Sequence, residues 1–374
     1  MKLLLTIFLL GCSAFAQEGN DIVSIELSDG EIMAGKLYLP SADVAINQVV
    51  IFVHGTGPGT YLNRRSIAGV DFNYFDVFGD EFNRLGIAFF SYNKRGVELG
   101  EQPPVFEIVD REKFKQVVPS VDVADLGTVI DYLANRPRLA NAKVVLFGWS
   151  EGTIIAAMAA ENPATRISAL FLAGYAHENM HDIIKWQYSG ASSMINLNPI
   201  FDQDGDGKIS HEEYQFEDSR AAGMRAAMQN AKFSSLDNDQ DGFLSAEDFR
   251  LLAEPGYKYL LDRIAAKDAD WIWNNYFHVS LEWLAEHAEL EANKTRLLRL
   301  NIPIYIFHGE ADPNTDVNGV RDLQKRFKKA EKNNLHAFIY AEHDHNLHFL
   351  QWPIHGHKSP AIKKIFEIAA ELNG

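Results

Sequence analysis

Residues 143–160 carry the pattern that most restricts how this chain of 374 residues can fold. A short apolar run, Lys143-Val144-Val145-Leu146-Phe147, leads into Gly148-Trp149-Ser150-Glu151-Gly152, and a small-residue stretch follows from Thr153 to Ala160. The run reads as a buried strand and the stretch as a helix. Glycines two before and two after the serine permit a strained turn between them. Such a turn lifts the Ser150 hydroxyl above a sheet edge and sets the Glu151 backbone N–H beside it. The same pentapeptide also arises as a plain structural turn, so its partners elsewhere in the chain decide its meaning.

The rest of the sequence supplies a sheet for that strand. Residues 22–39 alternate around Ser28-Asp29-Gly30 and read as a hairpin with an Asp-Gly turn. Apolar runs at 48–53, 87–92, 167–173, 302–307 and 337–340 read as further strands, and 76–85, 121–133 and the C-terminal stretch read as helices. Buried strands alternating with helices imply an α/β fold with a mostly parallel sheet covered on both faces. Residues 175–300 contain no convincing strand and show helical periodicity, as at 221–228 and 257–264. They read as an insertion between two sheet strands.

An activated serine needs a base, an orienting acid and oxyanion donors. Asp312, in His308-Gly309-Glu310-Ala311-Asp312-Pro313, follows the 302–307 strand, and His345, in Glu342-His343-Asp344-His345-Asn346-Leu347, follows the last one. Each sits just past a strand end, so Ser150, Asp312 and His345 converge on one rim of the sheet. Asp316 and Glu310 compete for the acid's place, and His343 for the base's. His343, His348, His355 and His357 crowd together, which leaves a zinc site as another reading of the cluster.

With these residues in view, the chain resembles the α/β-hydrolases, and within them the exported esterase and serine-aminopeptidase-like branch. The resemblance rests on the Asp29-Gly30 hairpin, the His54-Gly55-Thr56-Gly57-Pro58-Gly59 loop, Tyr92-Asn93-Lys94-Arg95-Gly96 and the serine turn. It implies the α/β-hydrolase fold, with a helical cap insertion, and a Ser150-His345-Asp312 triad; Asp344-His345-Asn346 matches the family's usual histidine loop. The oxyanion donors would be the backbone N–H groups of Glu151 and Thr56, with Gly57 the alternative to Thr56. The chain departs from its relatives at Asn93, where they often carry an acid, and at Val97-Glu98-Leu99-Gly100. Arg95 reads either as a substrate-carboxylate ligand or as a structural clamp.

Inside the insertion lie two acidic loops. Asp202-Gln203-Asp204-Gly205-Asp206-Gly207-Lys208-Ile209-Ser210-His211-Glu212-Glu213 fits a calcium-binding EF-hand loop: oxygens at Asp202, Asp204, Asp206 and Ser210, a backbone carbonyl at Lys208, and bidentate Glu213 at the twelfth place. Residues 237–248 repeat it with Asp237, Asp239, Asp241, Phe243 (through its carbonyl), Ser245 and Asp248. The shorter Asp248 implies a weaker second Ca²⁺ site. Pro199 implies an irregular approach to the first loop. An acidic solvated turn without an ion is the plainer reading of either loop. Trp271, Trp273, Tyr276, Phe277 and Trp283 read as the insertion's own core or as a substrate pocket.

Residues 1–16 read as a signal peptide, with Lys2, an apolar run at 3–10 and Ala14-Phe15-Ala16 as the cleavage site. Lipidation at Cys12, the chain's one cysteine, is the alternative. The remaining expected divisions are a core at 17–174, the cap at 175–300 and the rest of the core at 301–374. A formal charge of −16 disfavours nucleic acid and anionic membrane as partners. No later stretch is long and apolar enough to span a bilayer. The combined expectation is an exported, periplasmic or secreted, calcium-binding serine hydrolase that cleaves carboxylic esters through an acyl-enzyme. Short peptides or thioesters are alternative substrates, and a calcium-responsive binding protein on a silent scaffold is the rival from another class.

Overall fold

Period-two alternation along the strands decides the layering, and it is clearest in the strand that carries the serine. The computed structural model describes residues 21–374; the expected leader and Cys12 lie outside the described residues. The main sheet has eight strands: β1 (Asp21–Glu26), β2 (Ile32–Tyr38), β3 (Gln48–Val53), β4 (Ala88–Tyr92), β5 (Lys143–Trp149), β6 (Ile167–Ala173), β7 (Ile304–Gly309) and β8 (Leu335–Tyr340). Val144 and Leu146 of β5 join one apolar cluster while Val145 and Phe147 join the other, because successive side chains point to opposite faces. Helices Pro119–Ala134, Gly152–Ala160 and Val317–Lys329 cover the first face, and Tyr74–Arg84 and Pro360–Asn373 the second.

The spatial order is β1-β2-β4-β3-β5-β6-β7-β8. β2 runs antiparallel to both of its neighbours, and the remaining pairs are parallel. The chain leaves β3 toward one side to build β4 and returns to build β5 on the other. That reversal opens a crevice at the carboxyl ends of β3 and β5, where ligands of open α/β sheets bind.

Most expected elements occur with shifted ends: the 76–85 helix begins at Tyr74, and Ile87 and Ile302 precede their strands. Two small hairpins, Arg64–Ile67 with Val70–Asn73 and Val97–Leu99 with Glu107–Val109, had no counterpart in the sequence reading. Strands of three or four residues are too short to show a period. Between β6 and β7 the chain is helical apart from two two-residue strands, Ile209–Ser210 and Phe243–Leu244. This segment has two apolar centres. Met180, Ile184, Leu260, Ile272 and Trp283 pack with Ile154 and Ala176, next to the serine turn. Leu197, Phe201, Ile209, Tyr214, Phe233 and Leu244 form a separate lobe around the acidic loops.

The irregular approach expected from Pro199 is not found: helix Ala191–Phe201 runs through it. Proline forfeits one backbone bond, but its fixed φ is helical, and Asp202 N–H still reaches Asn198 O at 3.1 Å to close the last turn. Among the described residues no helix is long and apolar enough to cross a membrane.

Candidate active site

Ser150 follows β5 with a φ of +57°, a left-handed conformation that costs a non-glycine residue about 1–3 kcal/mol and persists only where its surroundings enforce it. They do so here. Ser150 N–H donates to Ala173 O at 2.9 Å, and its own carbonyl accepts from the Thr153 N–H at 2.9 Å and hydroxyl at 2.7 Å. A Cβ at Gly148 would lie 2.3 Å from Gly152 O, and one at Gly152 would lie 2.2 Å from Val53 O. Both glycines of the motif are thus required by close backbone packing.

Asp312 is fully buried in the loop after β7. Its Oδ1 accepts from the N–H of Asn314 at 2.8 Å and of Thr315 at 3.0 Å, and its Oδ2 from the Thr315 hydroxyl at 2.7 Å. His345 Nδ1 stands 2.7 Å from the same Oδ2. A carboxylate only accepts, so the proton lies on Nδ1 and Nε2 is left as a base. Burial by itself would raise the Asp312 carboxyl, but the hydrogen bond and charge of His345 outweigh it and hold the group below its usual range. The Trp149 indole N–H donates to His345 O at 3.0 Å, and Gly174 (φ +54°) leaves room for the imidazole, which a Cβ there would meet at 2.8 Å.

The competing residues are engaged elsewhere. Asp316 caps helix Val317–Lys329, and Glu310 pairs with Arg321 on the surface. His343 Nδ1 faces Ala341 O at 2.9 Å and its ring stacks on His348. Among the described residues, the groups of three or more acids and histidines with converging ligand atoms lie in the two acidic loops.

Ser150 and His345 line one cavity of about 470 Å³ together with Gly55, Thr56 and Trp149. The loop after β3 is pressed onto the serine turn: a Cβ at Gly55 would lie 3.0 Å from Trp149 O and 3.3 Å from Ser150 Cβ. Of the five insertion aromatics, Tyr276, Phe277 and Trp283 line this cavity. Trp271 packs edge-on to Tyr259, and Trp273 packs on Phe114 and His278. Trp271, Tyr276 and Trp283 also pack in the insertion's own apolar cluster, whereas Trp273 packs against the Val97, Phe114 and Val117 cluster outside the insertion. Arg95 is a clamp, donating to both Asp125 oxygens at 2.6 and 2.7 Å and to Asp29 at 2.5 Å, which ties the opening hairpin to helix Pro119–Ala134.

Three groups at the site escaped the sequence reading. His308 is buried behind Asp312: its Nδ1 accepts from Tyr175 N–H at 3.0 Å, so Nε2–H donates to Thr315 O at 3.1 Å and steadies the acid's loop. Burial lowers its pKa and keeps it neutral. The Glu151 side chain is also fully buried, with its Oε1 2.6 Å from the Trp283 indole N–H and 2.9 Å from His287 Nε2. Burial alone would raise this carboxyl, but the positive charge of Lys94 and the His287 contact hold it down at about 2. Lys94, only 4% exposed, donates to Gly55 O at 2.9 Å and pairs with Asp122 at 3.4 Å. Burial pushes Asp122 up to about 6. A lone lysine or glutamate in a loop carries no sequence mark of such burial.

The acidic loops sit side by side, with Ile209 pairing Leu244 and Ser210 pairing Phe243. Gly207 and Gly242 take φ of +87°, as the sixth place of each loop demands. Carboxylate oxygens of Asp202, Asp204 and Asp206 converge within 4.8 Å, as do those of Asp237, Asp239 and Asp248. Glu213 and buried Asp248 both fold back onto the loop backbone, accepting from the N–H groups of Gln203 and Ser210 at 2.8 and 2.7 Å and of Asn238 and Ser245 at 2.7 and 2.8 Å, and Asp248 is also among the converging acids. Asp241 pairs with Lys208 of the first loop at 3.2 Å.

No curated protein matches this sequence. Among solved structures, the chain is similar to a highly thermostable carboxyl esterase from Bacillus coagulans (15% identity, 95% of this chain and 97% of that one, TM-score 0.52). It is also similar to an esterase of Pyrococcus furiosus (12% identity, 95% and 92%, TM-score 0.50). At these identities the likeness is one of fold. The sequence itself matches the alpha/beta hydrolase family over residues 50–352, a span that runs from β3 through the serine turn and the acid loop to beyond His345. With its strand order, its strained serine and its buried acid–histidine pair, this chain belongs to the alpha/beta hydrolase family.

Proposed function

We propose that this protein is a serine hydrolase of carboxylic esters that works through an acyl-enzyme. The observation that carries the reading is the 2.7 Å His345–Asp312 pair at the rim of the cavity that also holds Ser150. In this reading His345 Nε2 takes the Ser150 hydroxyl proton as Oγ attacks the carbonyl carbon, then returns it to the leaving alkoxide. Asp312 keeps the imidazole oriented and stabilises the imidazolium. The backbone N–H groups of Glu151 and Thr56 receive the oxyanion. Water then repeats the sequence on the acyl-enzyme.

The lining of the cavity favours esters over peptides with a free amino terminus. Among the described residues it includes Phe75, Phe78, Tyr276, Phe277, Trp283 and Phe349 but no carboxylate, and Glu151, the nearest acid in sequence, is sealed behind Trp283. A substrate ammonium group would find no counter-charge there, while an apolar or aromatic acyl ester would be well covered. A fluorophosphonate probe is expected to label wild-type protein stoichiometrically and to leave Ser150→Ala unlabelled, with p-nitrophenyl esters turned over and aminoacyl anilides not. Folded wild-type protein that takes no label would instead support the calcium-responsive binding protein.

Two Ca²⁺ ions are part of the same reading. Asp237 Oδ1 is buried without a hydrogen-bond partner, and a cation shared with Asp239 and Asp248 would satisfy it. Asp202, Asp204, Asp206, Ser210, Glu213 and the Lys208 carbonyl would hold the first ion, and Asp237, Asp239, Asp241, Ser245, Asp248 and the Phe243 carbonyl the second. The shorter arm of Asp248 makes the second site the weaker. The ions would neutralise crowded carboxylates and fasten helix Ala246–Ala265, whose far half contributes Leu260 to the cluster containing Trp283. At a hundredfold excess of Ca²⁺ over Kd, linkage gives about 2.7 kcal/mol of stabilisation. Chelation is therefore expected to lower Tm and raise KM more than it reduces kcat, and Asp202→Ala with Glu213→Ala to reproduce both effects. Identical melting with and without chelator, in protein shown to bind Ca²⁺, would defeat the structural role. The leader features of residues 1–16 support export, where free Ca²⁺ is often abundant.

A further inference from the structure

We propose that Lys94 is a positioning residue for transition-state stabilisation: by donating to the Gly55 carbonyl it aims and strengthens the adjoining Thr56 N–H as an oxyanion donor. The inference rests on the reading of Ser150 as nucleophile and Thr56 as donor. Its basis is the planarity of one peptide. The Gly55 C=O and the Thr56 N–H belong to the same trans unit and project from opposite edges of it, so whatever holds one direction fixes the other. Lys94 Nζ lies 2.9 Å from Gly55 O.

This peptide needs holding. It lies in the His54-Gly55-Thr56-Gly57 segment, and its rotation turns ψ of Gly55 and φ of Thr56, of which the Gly55 side, lacking a Cβ, offers little resistance. The Lys94 bond selects one of the two orientations. On its other flank the same segment is packed against Trp149 O and Ser150 Cβ, which sets the fixed plane directly beside the nucleophile.

The charge matters as well as the geometry. A cation on the carbonyl oxygen favours the resonance form with positive charge on nitrogen, which makes the N–H a stronger donor, and the low dielectric amplifies the effect. An ordinary turn would not require so costly a group. The Lys94 side chain is 3% exposed, and a buried ammonium persists only with partners. Its partners are Asp122 at 3.4 Å and, through the field, Glu151, whose carboxylate is anchored by Trp283 and His287. Glu151 also carries the other expected oxyanion donor on its backbone. One buried charge cluster thus reaches both donors, through the Gly55 carbonyl on one side and the Glu151 side chain on the other.

The test compares wild type with Lys94→Met, which removes the charge and the donor while keeping most of the volume. Deleting an oxyanion donor outright costs about 10²–10³ in kcat, so losing its support is expected to cost about 10- to 100-fold, with KM changed less than about twofold. Affinity for a trifluoromethyl ketone, which forms a tetrahedral adduct with serine, should fall by the same factor as kcat/KM. Affinity for the product carboxylic acid should not move, and Lys94→Arg should recover part of the loss. If unpaired Asp122 prevents folding, Lys94→Met with Asp122→Asn removes the cation together with one anion, and the same pattern is expected. An unchanged kcat in either folded variant overturns the proposal, and so does parallel loss of ketone and product affinity. Stoichiometric fluorophosphonate labelling of wild type separates the two levels: labelling with an unaffected Lys94 variant refutes this inference alone, and no labelling refutes the reading beneath it.

Discussion

His345→Ala lowers ester turnover by roughly four orders of magnitude, and His343→Ala leaves most of it intact. Two histidines stand two positions apart in the same loop, and only His345 reaches Asp312. His343 spends its Nδ1 on Ala341 O and its face on His348. Asp312→Asn should approach the His345→Ala loss without disturbing the fold's core. An amide presented to His345 Nδ1 can donate its N–H there, and the imidazole proton then moves to Nε2, where a base is needed. Steady-state kinetics on a p-nitrophenyl ester measures all three variants. Wild-type turnover in His345→Ala with loss in His343→Ala would show that the loop presents the other histidine in solution.

Glu151→Gln lowers the unfolding free energy by roughly 3–5 kcal/mol at pH 7, because it leaves a buried Lys94 without one of its counter-charges. The pH dependence has a definite sign. The folded Glu151 carboxyl sits at about 2, below its ordinary value of 4.5. A group depressed in the folded state contributes stability above its unfolded pKa and loses it as pH falls through the folded one. The gap between wild type and Glu151→Gln should therefore be full at pH 5, where Asp122, at about 6, has already taken up its proton, and shrink as pH falls below 4.5 toward 2. Urea unfolding at several pH values reads it directly. A gap that is absent at pH 7, or that widens as pH falls below 4.5, would mean that Glu151 is not held as an anion in the fold.

Neighbouring residues show why some of this site was legible in the chain and some was not. Ser150 announces itself because the strained turn needs glycines at 148 and 152, and that need is local. Asp312 and His345 are legible because each closely follows a strand whose apolar run is plain. The acidic loops are legible because an oxygen-lined turn must place its acids and glycine at fixed steps. Arg95 stood open between two roles because nothing beside it in sequence indicates Asp125, thirty positions on. The insertion aromatics stood open because a tryptophan facing a cavity and one facing a core look alike in one dimension.

The division follows the range of the forces. Backbone sterics, strand and helix periods and loop spacing act over a few residues, so the sequence by itself determined the α/β alternation, the serine turn, the places of Asp312 and His345 after their strands, and the two acidic loops. Burial and charge pairing act between segments far apart in the chain. Only the tertiary structure decided that Lys94 meets Gly55, that Glu151 is sealed between Trp283 and His287, that His308 braces the Asp312 loop, and that Tyr276, Phe277 and Trp283 wall the cavity. A carboxylate in water and one sealed beside a buried ammonium are the same letter, and their surroundings alone make them chemically different.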